Sequence, residues 1–302
     1  MSNSNADVIE LFKKGITNKR SVNVYSEGNV VYSYGPHFPL VVRRDEKSNL
    51  KDGKEWYLLN GDKYSKTTST HQSITYSVFH EHPRVSFSAI HAAGINEQTC
   101  ELVDFWKDEF RSTYPGDEDF DDFEKTVPVG AELRIRRKED GTIISKSYHR
   151  IGSVVLRQDG KYFLCSMDEG SYFVSELPAP VKTVTDAFES LKPDAVRKAE
   201  AQRLEIKRQG EWFFIPIEPP SGVHKKDFKS QYVLPAQNSR SNLHIATRGI
   251  LYKGNHLVMG TIRHKSPWGR NGEHRMLRLG SGVFIAVCNT SKGNWSANGK
   301  VD

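Results

Sequence analysis

The chain has 302 residues, with 43 Lys+Arg against 37 Asp+Glu and a formal charge of +6. A hydrophobic share of 37% with 11% aromatics describes a chain that can bury a core, which excludes a disordered polymer. The longest apolar run, 283–288, is far short of the ~20 residues a membrane-spanning helix requires, and residues 1–14 hold Asp7 and Glu10 where a signal peptide would be basic and apolar.

The chain opens on an amphipathic helix with Val8, Leu11 and Phe12 on one face, closed by Lys13-Lys14-Gly15. Strands follow over 22–26, 30–34 and 40–43, broken by Glu27-Gly28-Asn29 and Gly35-Pro36, and another over 55–59 ends at Asn60-Gly61-Asp62. The polar run 64–72 offers hydroxyl caps for a helix continuing through Ile74, Val78 and Phe79. Alternation predicts a strand over 85–90. Leu102, Phe105 and Trp106 predict a helix over 97–110. Strands are expected over 132–136, 143–148, 153–157, 162–167 and 172–175, then helices over 183–191 and 194–203 around Pro193. A strand over 211–216 precedes the Pro/Gly cluster 218–222, and short strands over 243–247, 250–252, 256–264, 275–279 and 283–288 complete the chain. The expected fold is α+β, with predominantly antiparallel sheets and several short helices. The expected division is a mixed part, 1–218, holding an acidic loop at 117–124, and a basic β-rich part, 219–302.

Charge separates along that division. Residues 219–302 contain 13 Lys/Arg and three acids, a net +10, whereas residues 1–218 carry 30 bases and 34 acids, a net −4. Basic side chains neutralise phosphates and flat side chains stack on unpaired bases, so the basic part is the expected nucleic-acid surface. Lys225, Lys226, Lys229, Arg240, Arg248, Arg263, Lys265, Arg270 and Arg275 are the expected phosphate contacts, with Trp268 for stacking. The basic part has a competing explanation, pairing with the acidic loop. Zinc-finger, helix-turn-helix, RNP1 and phosphate-loop signatures are absent from the sequence.

Other chemistry is sparser. Asp117, Asp119 and Asp121 imitate the first ligands of a calcium loop, but Asp122 stands where glycine is needed and Pro128 where glutamate is. A hairpin pairing 260–264 with 273–277 would bring His264 towards Glu273 and His274, a set that can hold a divalent metal or serve acid–base chemistry. His80 and His82 share a face only if extended. His71 beside Thr68 and Ser69 raises a hydrolase possibility, without a Gly-x-Ser-x-Gly elbow, so His71 and Glu273 are the catalytic candidates. Cys100, Cys165 and Cys288 are isolated and odd in number, which suits inert thiols in a reducing cytoplasm.

The strings 32–40, 59–72, 208–216 and the 260–264/273–277 hairpin resemble a group of tailed-phage and archaeal-virus proteins to which no activity is attached. The hairpin return is tight in that group, whereas 265–272 here adds a basic, Trp-containing insert. The resemblance implies a viral protein acting in the host-cell cytoplasm. The leading expectation is nucleic-acid association through the basic part, with no membrane partner and no cofactor. The alternatives are a metal-dependent hydrolase or nuclease built on His264, Glu273 and His274, and a factor that binds a host protein.

Overall fold

Ser4 starts the first helix: its hydroxyl accepts from the Asp7 amide at 3.1 Å, and the Asp7 carboxylate accepts from the Ser4 amide at 2.7 Å. The structure, a computed structural model, describes residues 3–44, 55–168, 171–235, 243–265, 276–296 and 299–300. Helix α1 (Asn5–Lys13) buries Val8, Ile9 and Phe12 against a sheet whose first four strands are β1 (Val24–Glu27), β2 (Val30–Ser33), β3 (Pro39–Arg44) and β4 (Trp56–Asn60). Ser65 caps α2 (Lys66–Val78), which carries the chain over to β5 (Arg84–Val85), parallel to β4. Every other strand pairing among the described residues is antiparallel.

Residues 85–90 differ from the expected strand. Only Arg84–Val85 is extended, because the Ser86 hydroxyl accepts from the Ala89 amide at 3.1 Å and starts α3 (Phe87–Ala92). The Asp62 carboxylate fixes this start by accepting from Ser86 and from the Ser88 amide and hydroxyl.

The helix expected over 97–110 is also replaced by strands, β6 (Glu101–Trp106) and β7 (Glu109–Thr113). A register shift against the partner strand skips Val103, so Leu102 and Phe105 face one core while Val103 and Trp106 face another. That bulge gives a strand the three-residue spacing of a helix. Next come β8 (Glu132–Arg137) and β9 (Ile143–Arg150), which with β7 form a small sheet in the order β7-β9-β8.

Strand β6 continues instead into a sheet with β10 (Ser153–Gln158), β11 (Lys161–Asp168) and β12 (Ser171–Glu176). Val30, Val42, Trp56 and Leu58 of the first sheet share a core with Leu102, Val154, Leu156, Phe163 and Cys165 of this one. The opposite face buries Val155 and Leu164 under Val184, Ala187 and Leu191 of α4 (Val184–Leu191). The layers therefore run helix, sheet, sheet, helix, each sheet buried on both faces. Burial drives the Cys100 thiol up to about 12 and raises Cys165 as well, keeping both protonated at neutral pH.

After α5 (Asp194–Ala201) the chain builds a second sheet system from β13 (Lys207–Gln209), β14 (Trp212–Ile217), β15 (Lys229–Val233), β16 (Leu243–Tyr252), β17 (Asn255–Lys265) and β18 (Leu277–Cys288), in the order β13-β14-β18-β17-β16-β15. Trp212 and Phe214 of β14 share one core with Tyr232 of β15, four strands away, so this sheet curls on itself. The expected division at residue 218 falls between β14 and β15 of this single sheet. The chain then returns: β19 (Gly293–Ser296) pairs with β12, and β20 (Gly299–Lys300) pairs with β19.

Candidate nucleic-acid interface

Alternation along β17 sorts its side chains. Val258 and Ile262 enter the inner core of the curled sheet, so Met259, Thr261 and Arg263 face outward. Across the ladder Arg263 lies opposite Ile245, and Thr261 lies opposite Arg278. Arg248 lies opposite Met259, which packs in the outer cluster with Ile250 and Tyr252. Arg248, Arg263 and Arg278 are thus exposed on the outer face of three adjacent strands, and no carboxylate pairs with them among the described residues. Thr247 and Thr261 link their hydroxyls at 2.7 Å between these arginines and add short polar groups to the face.

Lys225 and Lys226 are exposed in a 3-10 turn, Lys225–Asp227, and Lys229 opens β15 opposite Gly249. Val233 lies opposite Ile245, so Lys229 stands ~13 Å along the ladder from the Arg263 end, and its partner Gly249 lies opposite the inner Val258, which places Lys229 on the other side of the sheet from Arg248. Lys265 is the last residue of β17. Arg240, Trp268, Arg270, Glu273, His274 and Arg275 lie outside the described residues. Arg278 was not singled out in the sequence, where its neighbourhood with Thr261 and Arg263 depends on strand register. Lys207 also reaches this edge, its ammonium donating to the Arg278 carbonyl at 3.1 Å.

The acidic loop is engaged elsewhere. Asp119 accepts from Arg111 at 2.6 Å and from Thr113 at 2.8 Å; Asp117 accepts from the Tyr114 amide at 2.8 Å. Lys146, only 5% exposed, donates to the Phe120 carbonyl at 2.5 Å and pairs with Glu124 at 3.0 Å. Hydrogen bonding to its own backbone and to Lys146 holds the Glu124 carboxyl below its ordinary range. These carboxylates serve the small β7-β9-β8 sheet, and none of their described partners belongs to the basic part.

His264 points inward. It is 6% exposed, its ring centroid 4.6 Å from that of His244, whose Nδ1 is 3.4 Å from Glu211 Oε1. Sequence reading missed His244 and Glu211 because only strand pairing and the curl of the sheet unite positions so far apart. Among the described residues no three His, Cys, Asp or Glu side chains are placed to hold a metal ion.

His71 is buried on α2 between two polar side chains. Asn5 Oδ1 takes the Ser21 hydroxyl at 2.6 Å, which leaves Asn5 Nδ2 to donate to His71 Nε2 at 3.0 Å. The ring then carries its proton on Nδ1 and donates to Ser33 Oγ at 2.7 Å. A base that activates serine must accept from it, and Ser33 is fully buried. This network ties α1, β2 and α2 together, and burial lowers the His71 pKa, favouring the neutral ring.

His80 and His82 diverge. His80 is exposed beside Glu81, while His82 packs edge-on against Tyr57 at 4.9 Å. Burial, with Lys13 and His80 adding positive charge, lowers the His82 pKa to about 4. The unfolded chain binds this proton near its ordinary value of 6.5, so stability is intact above that pH and falls as pH drops towards 4. Discounted for partial exposure, the loss amounts to about 1–2 kcal/mol. Urea unfolding of the parent and His82→Gln at pH 7 and pH 4.5 should show the smaller acid loss in the variant; equal losses contradict this account.

No protein-family description, curated protein or solved structure matches the chain. No helix among the described residues is long and apolar enough to cross a membrane.

Proposed function

We propose that the protein associates with nucleic acid through the outer face of its curled sheet. The observation that carries this reading is the trio Arg248, Arg263 and Arg278, exposed on adjacent strands without a carboxylate partner among the described residues. Such cations on a firm ladder meet a run of phosphates without first breaking internal ion pairs. Lys225 and Lys226, exposed in the turn before β15, and Lys229 at the start of that strand are proposed as flanking contacts. Arg240, Lys265, Trp268, Arg270 and Arg275 are proposed as further contacts on the ground of their charge or aromatic ring alone. A phage-type protein working in a host cell is the setting proposed with it.

The test is an arginine footprint. The protein is treated with phenylglyoxal alone and with a saturating oligonucleotide, single-stranded or duplex, and modification is read by mass spectrometry. Arg248, Arg263 and Arg278 should be protected severalfold, while Arg197, which is held by Asp194 on α5, reacts as before. Equal modification of all four with and without nucleic acid, or absence of binding, rejects the proposal.

A further inference from the structure

The small β7-β9-β8 sheet has one covered face and one open face, and its register sorts the side chains between them. On the covered side, Arg111, Tyr148 and Leu133 form one row and Thr113, Lys146 and Ile135 the next, beneath Phe123 and the acidic loop. The open side carries the alternate rows. Phe110, His149 and Glu132 lie across the three strands, followed by Ser112, Ser147 and Arg134, and then by Ser145 and Arg136.

This open face has three properties that bear on its occupant. Phe110 is 68% exposed, its ring edge-on to His149 at 6.3 Å, so an aromatic surface stands at one end. Three serines make a low, polar floor that leaves the ring and the guanidinium groups accessible from above. Positive charge gathers on β8: Arg134 is paired with Glu132 at 2.9 Å, whereas Arg136 has no carboxylate partner among the described residues, and Arg137 and Lys138 follow it. Of the acids nearby, Asp108 is held by His149 at 2.8 Å and Asp140 accepts from the Thr142 amide at 2.9 Å, while Glu139 is exposed. From Phe110 to Arg136 the face runs ~13 Å along the strands, the scale on which an open sheet stacks two or three bases.

We infer that this face binds single-stranded nucleic acid, with a base stacked on Phe110 and phosphates carried past Arg134 and Arg136. A duplex hides its base faces and cannot use the ring, so the surface discriminates by strandedness. This inference rests on the proposed nucleic-acid function and assigns it a second contact, in the part of the chain whose net charge is negative. A polyglutamate chain could meet the arginines but has no aromatic ring to stack on Phe110.

The test uses the full chain, a fluorescent thymidylate single strand of about twenty nucleotides, and a duplex of equal length. Phe110→Ala combined with Arg134→Ser and Arg136→Ser should weaken single-strand binding about tenfold or more and change duplex binding less than twofold. In Phe110→Trp, the fluorescence added relative to the parent should be quenched by the single strand and left unchanged by the duplex. Parental single-strand affinity in the triple variant, with no quenching in Phe110→Trp, overturns the inference and leaves the outer-face proposal standing. A parent that binds neither probe overturns both. Displacement of the single strand by polyglutamate from the parent and from Phe110→Ala alike would assign the face to an acidic polypeptide and overturn the stacking assignment.

Discussion

Phe123→Ala should destabilise the small β7-β9-β8 sheet by about 3–4 kcal/mol while leaving the layered sandwich unaffected. Phe123 is fully buried, its ring centroid 5.6 Å from that of Tyr148 and beneath the Arg111 guanidinium at 5.8 Å. Tyr148, which packs against Phe123, is 4% exposed and gives its hydroxyl to Glu109 at 2.7 Å. Removing the Phe123 ring therefore leaves Tyr148 half-covered and releases the loop that supplies the Phe120 carbonyl and Glu124 carboxylate to Lys146. A nearly buried ammonium without those acceptors is costly, so the loss of the ring and the loss of the ion pair reinforce one another. Hydrogen exchange reads the effect by region: a loss of ~3 kcal/mol corresponds to β9 amides exchanging about a hundredfold faster. Amides of β10 and β11 should keep their parental rates. Unchanged exchange in β9, or equal acceleration throughout the chain, would contradict a locally stabilised sheet.

Arg248→Glu, Arg263→Glu and Arg278→Glu in one chain should lower nucleic-acid affinity by two orders of magnitude or more at low salt. Each replacement removes a phosphate contact and adds repulsion, and all three positions are exposed, so the fold should tolerate them. Thr247→Ala with Thr261→Ala is a useful control on the same face, because it removes the hydroxyl pair and leaves the charges. It should cost less than threefold.

The strands of the curled sheet were legible because short apolar runs, such as 257–259 and 283–288, stand apart from turn residues such as Lys253-Gly254. Ser4 and Thr183 likewise mark helix starts that the structure caps in full. Two segments misled for definite reasons. The bulge at Val103 gave Leu102, Phe105 and Trp106 the appearance of a helical stripe, and the alternation at Val85, Phe87 and Ala89 concealed the cap at Ser86. Both outcomes depend on partners distant in sequence, β10 in one case and Asp62 in the other.

The candidate surface was legible as charge and not as geometry. A net charge locates basic residues without distinguishing those spent in pairs from those on an open face. Strand register made that distinction, adding Arg278 to Arg248 and Arg263 and turning His264 inward beside His244. It also separated Arg136 from Lys146, which are both basic residues of one small sheet, one exposed and the other enclosed by Phe120 and Glu124.

The most direct test of the outer-face proposal is the dependence of the binding constant on salt, measured on a duplex for the parent and for the triple glutamate variant. Each phosphate contact contributes about 0.9 to the slope of log K against log salt on duplex DNA, so the variant's slope should be shallower by about 2 to 3. Equal slopes for the two proteins would mean that Arg248, Arg263 and Arg278 touch no phosphate, and would contradict the account.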